Sequence, residues 1–359
     1  MKNLTALFFG LCISFIILEL GLRIYNPLPV SIKGNDIVIR SHYKILYQND
    51  IHPKLPSEIS VTGNSLGFRG PEPKEDDQLK ILTVGGSTTR CTYSSDSSSW
   101  SFLLGENIKS VHQKSWLNNA GFSGHSTYGH LILMQDYVVK LKPDLVIFLF
   151  GLNDIERDIT DDFTLQPKSA LNTFSGKMKS FLYRSEVIAL GLNLYRFLEA
   201  KKINLNYGFD FDLKNIPTIE LSEDEVNNKL KKQSKFLKQY EQRVEQLINF
   251  CFEHNIKPIL CTQPALFGNS IDPSTKLDLA KMEYNEANGK TMWQVLELYN
   301  GVTKKVALEK NVALIDLANQ LPKDSKYYWD FVHYTPEGNK EIARILSAQI
   351  IPLLSEKAN

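Results

Sequence analysis

Ile81-Leu82-Thr83-Val84-Gly85-Gly86-Ser87-Thr88-Thr89 is a short β-type run that breaks at two glycines and delivers a serine. A strand of this kind ends at the carboxyl edge of a sheet, and glycine there admits a tight turn that a Cβ would resist. Hydroxyl residues after the turn open a helix whose first N–H groups face developing negative charge. Strand, glycine turn, serine and helix start are the parts of an activated nucleophile. A plain strand-to-helix turn uses the same residues, so the far end of the chain has to decide.

There, Tyr328-Trp329-Asp330-Phe331-Val332-His333-Tyr334-Thr335-Pro336-Glu337-Gly338 sets a carboxylate three residues before an imidazole, with a helix start directly after. Thr335 is the expected cap, Pro336 the first helical residue and Glu337 a first-turn acid. Asp330 can accept from one ring nitrogen of His333, which fixes the tautomer and stabilises the imidazolium during proton transfer. A lone histidine is more often structural. An Asp-x-x-His ahead of a capped terminal helix, in a chain that also holds the glycine-turn serine, is read as general base and orienter for Ser87.

From Leu79 onward, strand and helix patterns alternate. The expected strands are Ile81–Val84, Trp116–Asn119, Leu145–Phe150, Pro258–Thr262 and Val312–Asp316. The expected helices include Trp100–Ser110, Tyr128–Leu141, Tyr284–Lys310 and Pro336–Leu354. Alternation of this kind predicts an α/β fold, a three-layer α/β/α sandwich on a central, mostly parallel five-stranded sheet. Asn153 follows the apolar run Leu145–Phe150 and Gly151, so its amide is expected in the crevice at the strands' carboxyl ends, where Ser87 also points. Gly124 lacks a Cβ, which lets its N–H come close to a substrate oxygen; a loop glycine is the plainer reading.

Four short blocks in this order carry a resemblance to the SGNH (GDSL-type) esterase and acyltransferase superfamily: Gly85-Gly86-Ser87-Thr88, Asn119-Ala120-Gly121-Phe122-Ser123-Gly124-His125-Ser126-Thr127, Gly151-Leu152-Asn153-Asp154 and Asp330-Phe331-Val332-His333. The resemblance implies a flavodoxin-like sheet, with Ser87 as nucleophile, His333 as general base and Asp330 as its orienter. The Ser87 and Gly124 backbone N–H groups and the Asn153 amide are then the oxyanion hole. It runs from about Leu79 to Leu354 and matches loosely between Ile155 and about Lys257. Gly86 departs from the acidic residue that usually precedes the serine. Gly-Gly-Ser-Thr is similar to a membrane-anchored bacterial subset, and Thr62-Gly63-Asn64-Ser65-Leu66-Gly67-Phe68-Arg69-Gly70 resembles a stretch that precedes the nucleophile there. Anchored relatives are linked to cell-surface polysaccharide, which implies a serine esterase or O-acyltransferase working on a glycan through an acyl-Ser87 intermediate. A lipid ester is the second substrate, and a non-catalytic glycan-binding module that retains the fold is the rival from another class.

The N-terminus is apolar from Leu4 to Leu18 and resumes through Leu20, Leu22, Ile24 and Tyr25. That is long enough for a transmembrane helix if Glu19 is tolerated near one edge, and Arg23, four residues on, is placed to pair with it. No small-x-small cleavage site follows, and Leu11 before Cys12 argues against a lipoprotein signal, so an uncleaved signal anchor is favoured over a cleaved peptide. Basic residues lie on both sides (Lys2 against Arg23, Lys33, Arg40 and Lys44), so charge does not orient it. An extracytoplasmic catalytic domain is what the resemblance implies. The chain thus divides into an anchor (1–25), a proline- and glycine-punctuated connector (26–78) expected to pack partly on the core, and a catalytic domain (79–359) with an insertion or cap at 155–221.

Nine aromatics between Phe163 and Phe211 suggest a cap near the site rim, with a plain surface insertion as the alternative. Ser222 and Glu225 form a capping-box pattern ahead of one long amphipathic helix reaching Cys251. Its lysines (Lys229, Lys231, Lys232, Lys235, Lys238) read as a solvated face before a lipid- or glycan-binding one. Net charge is +1, which favours no nucleic-acid partner. No metal or cofactor is expected, because the seven histidines show no ligand spacing. Cys91, Cys251 and Cys261 read as free thiols, with a Cys91–Cys261 bridge as the alternative.

Overall fold

The computed structural model describes residues 2–24, 32–33, 36–49, 52–157, 185–191, 194 and 212–355. Two compact units are distinguished, Met1–Arg40 with Ile159–Gly208 and Ser41–Asp158 with Phe209–Asn359. The nine aromatics expected to form a cap, Phe163, Phe174, Phe181, Tyr183, Tyr195, Phe197, Tyr207, Phe209 and Phe211, lie outside the described residues.

In the first unit, helix α1 (Lys2–Ile24) carries an apolar stretch, Thr5–Ile24, with a mean hydropathy of 2.2 and 6% of it buried. It is long and apolar enough to cross a membrane. Glu19, its one acid, accepts from Arg23 at 2.9 Å, from the Ser185 hydroxyl at 2.7 Å and from the Val187 N–H at 3.2 Å. The expected i,i+4 pair is present, and donors from Ser185, Glu186 and Val187 add to it.

The second unit opens with a hairpin, β1 (Tyr43–Gln48) and β2 (Glu58–Gly63). This hairpin was not expected, because the prolines around it read as loop. Its inward residues Tyr43, Ile59 and Val61 form a small apolar cluster with Leu55 and Trp329. The sheet follows: β3 (Leu79–Gly85), helices α2 (Ser87–Arg90) and α3 (Trp100–Lys109), β4 (Ser115–Asn119), α4 (Thr127–Asp136) and β5 (Leu145–Leu149). Farther along the chain come α5 (Glu223–Lys232), α6 (Ser234–Glu253), β6 (Lys257–Cys261), α7 (Gly289–Glu309), β7 (Ala313–Ile315) and α8 (Pro336–Ser355).

The five strands are all parallel in the order β7-β6-β5-β3-β4. This is the expected α/β fold, with the five strands found within a residue or two of their predicted places. β5, Leu145-Val146-Ile147-Phe148-Leu149, is buried along its whole length, as a strand covered on both faces must be. Helix α3 packs on α8, and α6 packs on both α4 and α7. The strand order reverses between β3 and β5, so the crevice at their carboxyl ends is the topological switch point.

Three helix predictions need correction. The expected single helix after Ser222 is two: its capping box is present, but the chain breaks at Gln233. The Gln233 amide is fully buried, donates to Glu156 Oε1 and to the Lys229 carbonyl at 3.0 Å each, and accepts from Tyr299. The helix predicted from Tyr284 starts at Gly289, because Asn288 caps it through the Thr291 N–H (2.9 Å). Ahead of that cap, Asn285 and Glu286 at positive φ turn a two-residue ladder. The helix predicted to Leu141 stops at Asp136 and tightens into a 3₁₀ turn, Val138–Leu141, which Lys142 ends in the left-handed region. Of the lysine face, Lys232 pairs with Glu156 (2.5 Å) and Lys229 donates to the Asn285 carbonyl (2.8 Å), so both serve intramolecular contacts. All four cysteines are free, and burial pushes the Cys91, Cys251 and Cys261 thiols up to about 12.

Candidate active site

Ser87 is the first residue of α2, at the carboxyl end of β3. The two glycines before it admit a turn that a Cβ would resist, as expected, and they do so without the left-handed region. Neither has a positive φ; Gly86 sits at φ −84°. They are needed for close approach. A Cβ on Gly85 would lie 2.3 Å from the Leu149 carbonyl oxygen, and one on Gly86 would lie 2.3 Å from Asn153 Nδ2. Gly86, the departure from the usual acidic position, is thus what lets the asparagine amide come up beside the serine turn.

His333 and Asp330 sit in a tight loop ahead of α8. The Trp329 N–H donates to the His333 carbonyl (3.1 Å), and the Thr335 N–H to the Tyr327 carbonyl (3.0 Å). Thr335 Oγ1 caps the helix by accepting from the Gly338 N–H (3.1 Å). One Asp330 oxygen accepts the backbone N–H groups of Val332 (2.8 Å) and His333 (2.6 Å), and the other faces His333 Nδ1 at 2.6 Å. His333 Nε2 then lies 2.8 Å from Ser87 Oγ. Serine, imidazole and carboxylate therefore form one unbroken line of hydrogen bonds, from residues 246 positions apart at the serine–histidine contact. Burial raises the Asp330 pKa, but the His333 ring and the hydrogen bonds from His333 and Val332 outweigh it and hold the carboxyl below its usual range. Trp329 stacks on the His333 ring at 5.4 Å and 15°.

Asn153 sits in a single 3₁₀ turn, Leu152–Asp154, that follows Gly151 at φ +114°. Its Nδ2 donates one hydrogen to the His125 carbonyl at 3.0 Å, which leaves the second for another acceptor. Gly124 has φ +77°, where glycine is favoured, and open space lies where a Cβ would be. Among the described residues no acceptor takes the Ser87 or Gly124 N–H. With those three donors unclaimed and a hydroxyl in contact with an imidazole, the chain holds the parts needed for nucleophilic attack on a carbonyl and for holding the resulting oxyanion.

Sequence reasoning left several supporting residues without a role. Asp154, fully buried, accepts the N–H and hydroxyl of Thr127 (3.0 and 2.5 Å) and the Arg243 guanidinium (3.2 Å), so it ties the asparagine turn to the start of α4. Trp329 and Arg69 both stood inside quoted stretches, and only their contacts reveal what they do. Lys54, in the hairpin loop, donates to the Ser325 carbonyl at 2.6 Å, and no sequence pattern signals it.

The sequence matches the family model described as "GDSL-like Lipase/Acylhydrolase family" over residues 83–341, a span that contains Ser87, Gly124, Asn153, Asp330 and His333. No curated protein matches it. Among solved structures it is similar to the acetyl xylan esterase AlAXEase, at 19% identity and a TM-score of 0.43, over 75% of this chain and 98% of that one. It is similar also to Axe2, an acetylxylan esterase from Geobacillus stearothermophilus, at 17% identity and a TM-score of 0.43, over 77% and 96% of the two chains. LAE5, an alpha/beta hydrolase enzyme from the metagenome of Lake Arreo, Spain, is similar at 15% identity and a TM-score of 0.44, over 76% and 96%.

Proposed function

The chain belongs to the GDSL-like lipase/acylhydrolase family, and from that premise we propose that it is a membrane-tethered serine esterase acting on O-acyl groups of a cell-surface polysaccharide. The observation that carries the chemistry is the Ser87–His333–Asp330 line, with contacts of 2.8 and 2.6 Å. Ser87 Oγ attacks the ester carbonyl while His333 Nε2 takes its proton. Asp330 stays ionised and holds the ring by Nδ1. The tetrahedral oxyanion is met by the Ser87 and Gly124 N–H groups and the free hydrogen of Asn153. On collapse, the imidazolium returns its proton to the departing alcohol and leaves acyl-Ser87. Water, or a sugar hydroxyl, then attacks with His333 as base again. Which acceptor prevails depends on water exclusion in the cleft.

The polysaccharide target and the tether rest on the likeness of Gly85–Thr88 and Thr62–Gly70 to anchored relatives. The length and hydropathy of Thr5–Ile24 support the tether, read as an uncleaved anchor with the catalytic domain outside the cytoplasm. The anchor then occupies 1–25 and the connector 26–78. The catalytic domain is read as 79–359, with 155–221 as its insertion or cap; residues 41–158 and 209–359 form one compact unit that takes in the connector's hairpin.

A serine-directed fluorophosphonate tests the central step. The wild type should be labelled at Ser87 and should hydrolyse p-nitrophenyl acetate; Ser87→Ala should do neither while unfolding at the same temperature. The expected loss in kcat is at least about 10⁴-fold. Labelling that persists in Ser87→Ala would overturn the assignment. Mass spectrometry of the acyl-enzyme formed from acetylated oligosaccharides, compared with short lipid esters, tests the substrate.

A further inference from the structure

A buried cation with no part in the proton path stands ahead of the family match. Arg69 is 3% exposed and precedes residue 83, where that match begins. Its backbone is registered to the end of β4: the Arg69 N–H donates to the Asn119 carbonyl (3.1 Å), and the Asn119 N–H to the Arg69 carbonyl (2.8 Å). Nη1 donates to the carbonyl of Arg90 and to that of Cys91 (2.7 Å), and Nη2 to that of Ser94 (2.8 Å). Nε donates to Asp96 Oδ1 at 2.8 Å. The other Asp96 oxygen accepts the N–H and hydroxyl of Thr62, at 2.9 and 2.7 Å.

Those carbonyls close the turn that carries Ser87. Helix α2 has four residues and ends where the Cys91 N–H donates to the Ser87 carbonyl (2.9 Å), Cys91 itself turning left-handed at φ 52°. A helix this short does not sustain itself, and its last carbonyls have no intrahelical donors. Side chains supply them in succession. Trp100 Nε1 takes the Thr88 carbonyl (3.0 Å), Asn119 Nδ2 takes that of Thr89 (2.6 Å), and Arg69 takes the next two. Positive charge at the negative end of the turn adds to the hydrogen bonding, and burial limits its screening by salt.

We propose that Arg69 is a positioning residue for Ser87: it clamps the carbonyl end of the nucleophile turn, so that the segment before the family core completes the catalytic apparatus. The proposal rests on the reading of Ser87 as nucleophile. The fork is essential to it, because a lysine offers three donors from one atom and cannot span three carbonyls and a carboxylate. Without the clamp the turn shifts relative to His333 Nε2, and a displacement of about 1 Å costs up to roughly 100-fold in rate.

The experiment uses the full chain in detergent, with Arg69→Lys, Arg69→Ala and Asp96→Asn beside wild type. Fluorophosphonate titration counts competent sites, and p-nitrophenyl acetate kinetics are expressed per titrated site, which separates turnover from the folded fraction. For the Arg69 variants kcat per site should fall roughly 10- to 100-fold with KM within about 2-fold, and the phosphonylation rate should fall in step. Methylguanidinium should restore part of the rate to Arg69→Ala and none to Ser87→Ala. Asp96→Asn, which keeps the cation but loosens its aim, should show a smaller loss in the same parameter. Arg69 variants that lose only titratable sites, each remaining site turning over at the wild-type rate, would overturn the clamp. Should those variants yield no sites at all, a wild-type kcat per site in Asp96→Asn overturns it. Wild type left unlabelled at Ser87 would instead remove the nucleophile reading.

Discussion

The Ser87 turn and the Asp330–His333 loop meet across 2.8 Å, yet they are held by different physics. Around the serine, support is polar and buried. Trp100, Asn119 and Arg69 take consecutive carbonyls, and Gly85 and Gly86 bring Leu149 and Asn153 against the backbone. Around the imidazole, support is one carboxylate and a stack of rings. Trp329 lies on His333, and Tyr93 meets Trp329 edge-on at 5.5 Å and 87°. A nucleophile gains from a fixed position because it attacks from one direction. In the proposed mechanism the imidazole takes a proton from Ser87 and returns it to a leaving oxygen, so it must reach two points, and a ring face lets it adjust in its plane while the Nδ1 contact sets the tautomer.

From that contrast, the largest effect after loss of the serine belongs to the carboxylate that meets the imidazole ring at Nδ1. Asp330→Asn should lower kcat about 10³- to 10⁴-fold, because the amide favours the wrong tautomer of His333. The same variant has a pH signature. The Asp330 carboxyl is held below its usual range in the folded chain. Its stabilising contribution is therefore complete above the ordinary carboxylate pKa and is lost as pH falls through the folded value. In urea unfolding, the stability gap between wild type and Asp330→Asn should narrow below about pH 4. A gap that widens on acidification would mean that the carboxyl is protonated in the native state.

On the oxyanion side, Asn153→Ala should cost about 10²- to 10³-fold in kcat. The fold should be little affected, since among the described residues the amide's one hydrogen bond is to the His125 carbonyl. Asp154→Asn probes the same turn from beneath and should lower stability more than it lowers kcat, because it weakens a buried pair with Arg243. The two neighbours thereby separate a donor from its scaffold.

What could be read from the chain follows the same division. The strands were legible because burial on both faces writes continuous apolar runs such as Leu145–Leu149, and the His333 loop because Thr335 and Pro336 announce a helix start. Ser87, Gly124, Asn153, Asp330 and His333 stood in short local patterns. Arg69 and Lys54 did not, because their side-chain partners lie 21 to 27 residues away for Arg69 and 271 or more for Lys54, and their meaning is in those contacts. The β1–β2 hairpin was hidden by the prolines that flank it, and Gln233 by a periodicity that runs through the break it makes. Local patterns were visible; long-range polar support was not.

Trp329 gives the sharpest test of the contrast. It is 3% exposed and joins the hairpin residues Tyr43, Leu55, Ile59 and Val61 in one cluster, so its removal leaves a cavity under the imidazole. Trp329→Ala should lower stability by about 3–5 kcal/mol, the usual range for emptying a large aromatic site. Its effect on kcat per titrated site should be smaller, at about 10-fold, because the carboxylate at Nδ1 still selects the tautomer. Trp329→Phe should recover most of the rate and only part of the stability. Arg69→Lys should invert that ratio, losing rate more than stability, since it keeps the buried charge and part of the hydrogen bonding but abandons the fork. Thermal unfolding and per-site kinetics on the pair decide it: equal ratios in the two variants would mean that both halves of the site are held in the same way.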